Sequence, residues 1–159
     1  MTAGTTPVVR RVAWEDPATA PLKEELTREY VSRYGEQARG ELTSYGPAAY
    51  TPPDGTLVLL FEGDEPVAGG AFVRRDERTA ELKRIWTDSR HRRRGLARLV
   101  VAELERDAVA FGYRRIYLTT GPRQPEAAGL YLATGYTPLF DVTADPLTIG
   151  LLPFEKHLG

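Results

Sequence analysis

The stretch Arg90-His91-Arg92-Arg93-Arg94-Gly95-Leu96-Ala97 decides how this chain is read. Before it, Thr79 to Thr87 reads as a strand. After it, Ala97, Val100, Val101, Leu104, Ala108 and Phe111 recur as one apolar stripe at helical spacing, and Gly112 supplies a stop. An arginine- and glycine-rich turn therefore runs from a strand straight into a helix. The first turn of a helix carries N–H groups with no partner inside the helix, and the positive end of the helix dipole lies there. Phosphate is the usual guest of such a terminus. Gly95 has no Cβ to hold an anion away from the backbone, and small Ala97 does much the same two residues on. Arg92, Arg93 and Arg94 add charge in a form that can grip phosphate oxygens in pairs. A solvated basic turn or a nucleic-acid patch would use the same residues, but placement at a strand–Gly–helix junction favours phosphate. The sequence holds neither G-x-x-x-x-G-K-[ST] nor a G-x-G-x-x-G after a strand, so the two commonest nucleotide loops are absent.

Composition narrows the setting of this loop. The chain has 159 residues, 42% hydrophobic and 27% charged, the balance of one globular domain over 1–159 with a core from about 8 to 156. Net charge is -1, so the molecule as a whole has no bias toward nucleic acid or an anionic membrane, and any basic feature is local. There is no cysteine, which excludes disulfides, thiolate metal sites and a cysteine nucleophile. The only histidines are His91 and His157, so no metal site is expected. The first residues have neither a basic nor an apolar region of the kind a signal peptide needs, and Leu57 to Phe61 is too short to span a bilayer. Cytoplasmic residence is the expectation. Arginine far outnumbers lysine and asparagine is absent, which suggests a GC-rich bacterial genome.

Reading outward gives the element order β-α-loop-β-β-β-α-β-α-β-β. Val8 to Ala13 reads as a first strand. Asp16-Pro17 opens a helix with Leu22, Leu26 and Tyr30 on one face, closed by Gly35. Gln37 to Asp54 is rich in Gly, Pro and Tyr and reads as a long loop with at most a helical turn, a length that hints at function. Thr56 to Glu62, Val67 to Arg75 and Thr79 to Thr87 are joined by tight turns and so pair antiparallel. Tyr113 to Thr120 follows the helix and is expected to run parallel to the strand before it. Pro125 opens a short helix that Gly135 ends. Tyr136 to Asp141 and Leu147 to Lys156 read as a last pair of strands.

Arg92-x-x-Gly95-x-Ala97 matches the [Q/R]-x-x-G-x-[G/A] pattern of the GNAT superfamily of N-acetyltransferases. Glu81 to Asp88 resembles the family's fourth strand. Ala127-Ala128-Gly129-Leu130-Tyr131-Leu132-Ala133-Thr134-Gly135-Tyr136 resembles its A-x-x-L-Y-x-x-x-G-[F/Y] segment, and Phe154-Glu155-Lys156 resembles a common ending. The resemblance runs from Val8 onward and is strongest from Glu81 to Tyr136. It implies an α/β (α+β) fold with a central mixed, mostly antiparallel sheet of six to seven strands, about four flanking helices, and splayed parallel strands 4 and 5.

It also implies roles. Acetyl-CoA would be the cosubstrate, without a metal. Its pyrophosphate would sit on Arg92, Arg93, Arg94, Gly95, Leu96 and Ala97 with Arg98 nearby. Its pantetheine arm would meet backbone at Ile85, Trp86 and Thr87, with Gln124 and Ala127 close to it. Gln124 stands where many members carry Asn. Tyr131 matches the tyrosine that protonates the leaving sulfur, and Glu81 a glutamate base; a solvated strand glutamate or one paired with Lys83 or Arg84 reads equally well. Tyr30 and Tyr34, on the first helix, lie where members bind the acceptor, with Tyr45 and Tyr50 in the following loop. The expected partners are acetyl-CoA and a primary amine, with no nucleic acid or membrane; homodimers are common in such proteins. Direct transfer suits a chain with no cysteine and no G-x-S-x-G serine. A non-catalytic acyl-CoA-binding module is the alternative.

Overall fold

The computed structural model describes residues 6–159. Seven strands form one sheet: β1 (Val8–Arg11), β2 (Thr56–Glu62), β3 (Glu65–Asp76), β4 (Thr79–Thr87), β5 (Arg115–Thr120), β6 (Thr137–Pro138) and β7 (Leu152–His157). Their spatial order is β1-β2-β3-β4-β5-β7-β6, and every neighbouring pair is antiparallel except β4 and β5. The helices are α1 (Ala20–Tyr34), α2 (Leu96–Ala110), α3 (Pro125–Ala133) and the single turn α4 (Pro146–Ile149). The expected mixed sheet with one parallel pair and flanking helices is therefore present.

Two apolar layers sandwich the sheet. Strand β2 shows why its sequence is continuously apolar: Leu57, Leu59 and Phe61 pack on the α1 side with Leu22 and Leu26, while Val58 and Leu60 face α2. The entry to α1 follows from Asp16, whose carboxylate accepts from the Ala18 N–H at 2.9 Å in a short 3-10 turn that leads into the helix. Gly35, with φ of 94°, ends it. Helix α2 buries Val100, Val101, Leu104 and Ala108 of the stripe read from the sequence, with Leu96 in place of Ala97, which turns to the cleft, and Phe111 beyond it meets Phe72 edge-on at 5.4 Å.

The parallel pair is short. Strand β4 meets β5 only at Thr79–Arg115, Ala80–Ile116 and Glu81–Tyr117. Past that point the strands diverge into a fork. A bulge in β4 accompanies the opening: Gly69 faces Trp86 and Ala71 faces Lys83, so Arg84 and Ile85 together oppose Gly70. Arg84 takes the left-handed conformation, φ 62°, to make this turn. The extra residue inverts the alternation beyond it. Trp86 joins the α1-side cluster, and Ile85 packs against the α2-side one. A Cβ on Gly70 would lie 2.6 Å from Ile85 Cδ1 and 2.9 Å from Val100 Cγ1, so glycine there lets the bulge and α2 close on the sheet.

Several boundaries differ from the sequence reading: β1 ends at Arg11 rather than Ala13, β3 begins at Glu65 rather than Val67, and β5 begins at Arg115 rather than Tyr113. The final strand begins at Leu152 rather than Leu147, because Asp145 caps Leu147 N–H at 3.0 Å and turns Pro146–Ile149 into a helical turn. Only Thr137 and Pro138 of the expected 136–141 strand pair, and β7 inserts between β5 and β6. The long loop holds two 3-10 stretches, Glu36–Thr43 and Pro47–Tyr50.

Leu104 is fully buried where α2 meets the sheet. We expect Leu104→Ala to lower unfolding free energy by about 2–5 kcal/mol, measured by urea denaturation. A loss below about 1 kcal/mol would contradict this packing.

Candidate active site

The fork between β4 and β5 opens a cleft of about 1470 Å³. The outer edges of the two strands are used by β3 and β7, and their inner edges are unpaired beyond Glu81 and Tyr117. Ile85, Trp86 and Thr87 line one side of the gap and Thr119 to Gly121 the other. Unpaired backbone groups there can hydrogen-bond an extended ligand carrying amides.

One end of the cleft is the start of α2. Gly95 has φ of 75° and Arg93 has φ of 65°, so two left-handed residues turn the chain into the helix. The helix has no side-chain cap and no acidic residue in its first turn. Its ladder starts at Leu99 N–H to Gly95 C=O, 3.2 Å. Among the described residues nothing accepts from the amides of Leu96, Ala97 and Arg98. A Cβ on Gly95 would meet nothing within 4 Å, so the space above these amides is open. A bare, positively polarised helix terminus facing open space suits a phosphate.

The arginines divide. Arg92, Arg93 and Arg98 line the cleft, and Arg92 is ion-paired with Glu29 of α1. Arg94 does not line it; its guanidinium turns to Glu62 and to His91 Nδ1 at 2.7 Å, so only its backbone stays with the turn. Leu96 is buried and anchors the helix start, while Ala97 faces the cleft.

Helix α3 closes the cleft from the β5 side. Gln124 Oε1 accepts from Gly121 N–H at 3.0 Å and from the Tyr34 hydroxyl at 3.2 Å, which leaves its NH₂ group uncommitted to these partners. Tyr34 presses so near this turn that a Cβ on Gly121 would sit 1.8 Å from its oxygen. Ala127 lines the cleft one turn on. Tyr131 is 4% exposed, with its ring against Tyr136 at 5.4 Å and Phe154 at 5.8 Å. No described residue hydrogen-bonds its hydroxyl, and Tyr131 is among the residues that line the cleft. Burial pushes this phenol well above the ordinary tyrosine range, with Tyr30 adding to the effect, so it is a neutral O–H at physiological pH.

The closed end of the fork carries charge. Glu81 is 7% exposed; Oε1 meets Arg75 at 3.1 Å and Oε2 meets Lys83 at 3.1 Å. The pairing with Lys83 that the sequence allowed is therefore made, whereas Arg84 goes elsewhere. Its guanidinium, with 1% side-chain exposure, donates to the Tyr50 hydroxyl at 3.2 Å, the Glu41 carbonyl at 2.7 Å and Ser44 Oγ at 3.2 Å. Tyr30 lines the wall beside it, and burial raises its phenol too. Tyr50 is core, stacked on Trp14 at 4.7 Å. Sequence reading missed Arg84 and Arg75 as parts of the site. An arginine at mid-strand reads as a solvated charge; only the bulge, which no local pattern announces, turns Arg84 inward.

A fork of parallel strands that leads to a bare helix terminus can accommodate a long ligand with an amide-bearing arm and an anionic end. The chain belongs to the acetyltransferase (GNAT) family, whose sequence profile matches residues 19–136, and that membership places it among the acyltransferases. It is 32% identical over 102 residues to the uncharacterised N-acetyltransferase YsnE of Bacillus subtilis, covering 61% of this chain and 68% of that protein. It is 32% identical over 120 residues to human N-acetyltransferase 8, 69% of this chain and 53% of that protein, so it spans about half of the human relative. The PaiA N-acetyltransferase of Thermoplasma acidophilum, solved with coenzyme A, superposes with a TM-score of 0.72 over 96% of this chain and 99% of its own at 14% identity, which shows a shared fold.

Replacing Arg84 by Met keeps bulk but removes the donors that hold Glu41, Ser44 and Tyr50. We expect amide hydrogen exchange across 36–50 to quicken at least tenfold, about 1.4 kcal/mol, with exchange in α2 unchanged. Unchanged exchange in that loop would show that Arg84 does not hold it.

Proposed function

We propose that this protein transfers an acetyl group from acetyl-CoA directly to a primary amine. The observation that carries the proposal is the bare N-terminus of α2 at the open end of the β4–β5 fork. Arg92, Arg93 and Arg98, with the amides from Arg94 to Arg98, would bind the diphosphate, needing no metal to neutralise it. Ile85, Trp86 and Thr87 would pair through backbone with the pantetheine arm, and the NH₂ of Gln124, beside Ala127, would donate to it. That a protein of the same fold, PaiA of Thermoplasma acidophilum, was solved with coenzyme A supports coenzyme A as the ligand class.

Bound acetyl-CoA supplies an acetyl thioester. The acceptor nitrogen forms the new bond to its carbonyl carbon and the carbon–sulfur bond breaks. One proton leaves the nitrogen and one reaches the sulfur. Tyr131 is the proposed donor to sulfur, since its hydroxyl is neutral and has no described protein partner to give up. Glu81 is the proposed acceptor of the amine's proton, because it is the one buried carboxylate among the described cleft residues. Its two cations must yield an oxygen for that step. Tyr30 and Tyr34 would flank the acceptor.

The raised Tyr131 pKa sets the sign of a pH profile. The acid form persists at every pH below that pKa, so it survives past the usual tyrosine value of about 10. The rate should rise through neutral pH as the acceptor amine deprotonates, with no fall before about pH 10. An alkaline decline near pH 8 would contradict the role. Free thiol release with a panel of amines tests the activity itself. We expect Tyr131→Phe to keep coenzyme affinity and to lose about a hundredfold in kcat. Unchanged kcat would remove Tyr131 from the chemistry. Tight coenzyme binding with no turnover on any amine would favour a non-catalytic acyl-CoA module.

A further inference from the structure

The cleft is more basic than the protein. Seven of its charged lining residues are Lys or Arg and four are Glu, in a chain of net charge -1. The helix-α2 end accounts for part of this excess. The closed end of the fork has its own: Arg75, Lys83 and Arg84 against Glu81 and Glu41. Arg84 is committed to the 36–50 loop. Arg75 and Lys83 share one carboxylate, Glu81, so this trio carries one uncompensated positive charge on the cleft wall.

The trio is held rigidly. The Arg75 guanidinium lies 3.9 Å over the Tyr117 ring, and Lys83 Nζ lies 5.3 Å from the Tyr45 ring centroid. Their side chains remain 43% and 17% exposed, so both present donors to the cleft. Leu147 and Leu151 line the same cleft and stand 57% and 64% exposed, an apolar lip with no described neighbour covering it.

Taking the acetyl-transfer reading as its basis, we propose that the acceptor is a small amine that carries a carboxylate beside an apolar group, of the α-amino acid type, with Arg75 and Lys83 as its carboxylate site. Two fixed cations repel a polyamine or an aminosugar, whose extra ammonium groups would lie against them. They attract a carboxylate with charge-assisted hydrogen bonds. They also favour the neutral form of the acceptor's amine, the form that attacks. A substrate carboxylate that takes over one cation releases an oxygen of Glu81, so the right substrate would free the group proposed to take its proton. Leu147 and Leu151 then cover the apolar side chain.

Calorimetry in the presence of free coenzyme A tests this without turnover. The probes are N-acetylated proteinogenic amino acids, each paired with the N-acetylated amine lacking only the carboxylate, together with N-acetylspermidine. At least one apolar amino-acid derivative should bind about tenfold more tightly than its decarboxylated partner. In Arg75→Gln that ratio should fall to about one, and in Tyr131→Phe it should persist. Higher affinity for N-acetylspermidine, no pair with a carboxylate preference, or a preference unaltered by Arg75→Gln would each overturn the proposal. Failure to bind coenzyme A appears in the same titrations as a separate result and counts against the acyltransferase reading instead.

Discussion

Strands β4 and β5 stop pairing after three residue pairs, and the rest of the site depends on that. A parallel pair continued to Thr87 and beyond would satisfy its own backbone and leave nothing to offer a ligand. Divergence leaves two inner edges with unpaired N–H and C=O groups. The fold can tolerate this because β3 and β7 secure the outer edges, and because α1 and α2 hold the two faces of the sheet. The bulge at Arg84 performs two tasks with one residue. Its backbone exchanges the faces that Ile85 and Trp86 would otherwise take, and its side chain fastens the 36–50 loop over the closed end of the fork.

The two ends of the cleft use positive charge differently. At the α2 terminus the charge comes from free amides and from arginines that are only partly compensated, a setting for a diphosphate. At the closed end it comes from a trio in which one buried carboxylate is shared between two cations. Between them stands Tyr131, kept neutral by burial among Tyr136 and Phe154. A donor to a departing sulfur needs its proton, and an apolar surrounding is what ensures it keeps one.

Much of this was legible in the sequence, for identifiable reasons. Strand β2 is an unbroken apolar run, and β4 and the stripe of α2 are periodic, so their limits were readable to within a residue. Asp16 and Gly35 marked α1 by cap chemistry that acts locally. Gly95, with no Cβ at a strand–helix junction, announced the anion site. Three features were hidden because they are tertiary. Insertion of β7 between β5 and β6 leaves no trace in local pattern. Arg94 reads like Arg92 and Arg93 until Glu62, far away in sequence, draws it off. Arg84, the most buried arginine of the site, sits in a stretch whose alternation gives no warning that it will break.

The claim on which the account rests is that the fork and the first turn of α2 form one continuous site for a diphosphate with an amide-bearing arm. A crystal structure of the protein with coenzyme A measures this directly. The account predicts diphosphate oxygens within hydrogen-bonding distance of the amides of Leu96, Ala97 and Arg98, and an arm paired with backbone from Ile85 to Thr87. A diphosphate bound elsewhere, with those amides open to solvent and the strands of the fork unbridged, would contradict it.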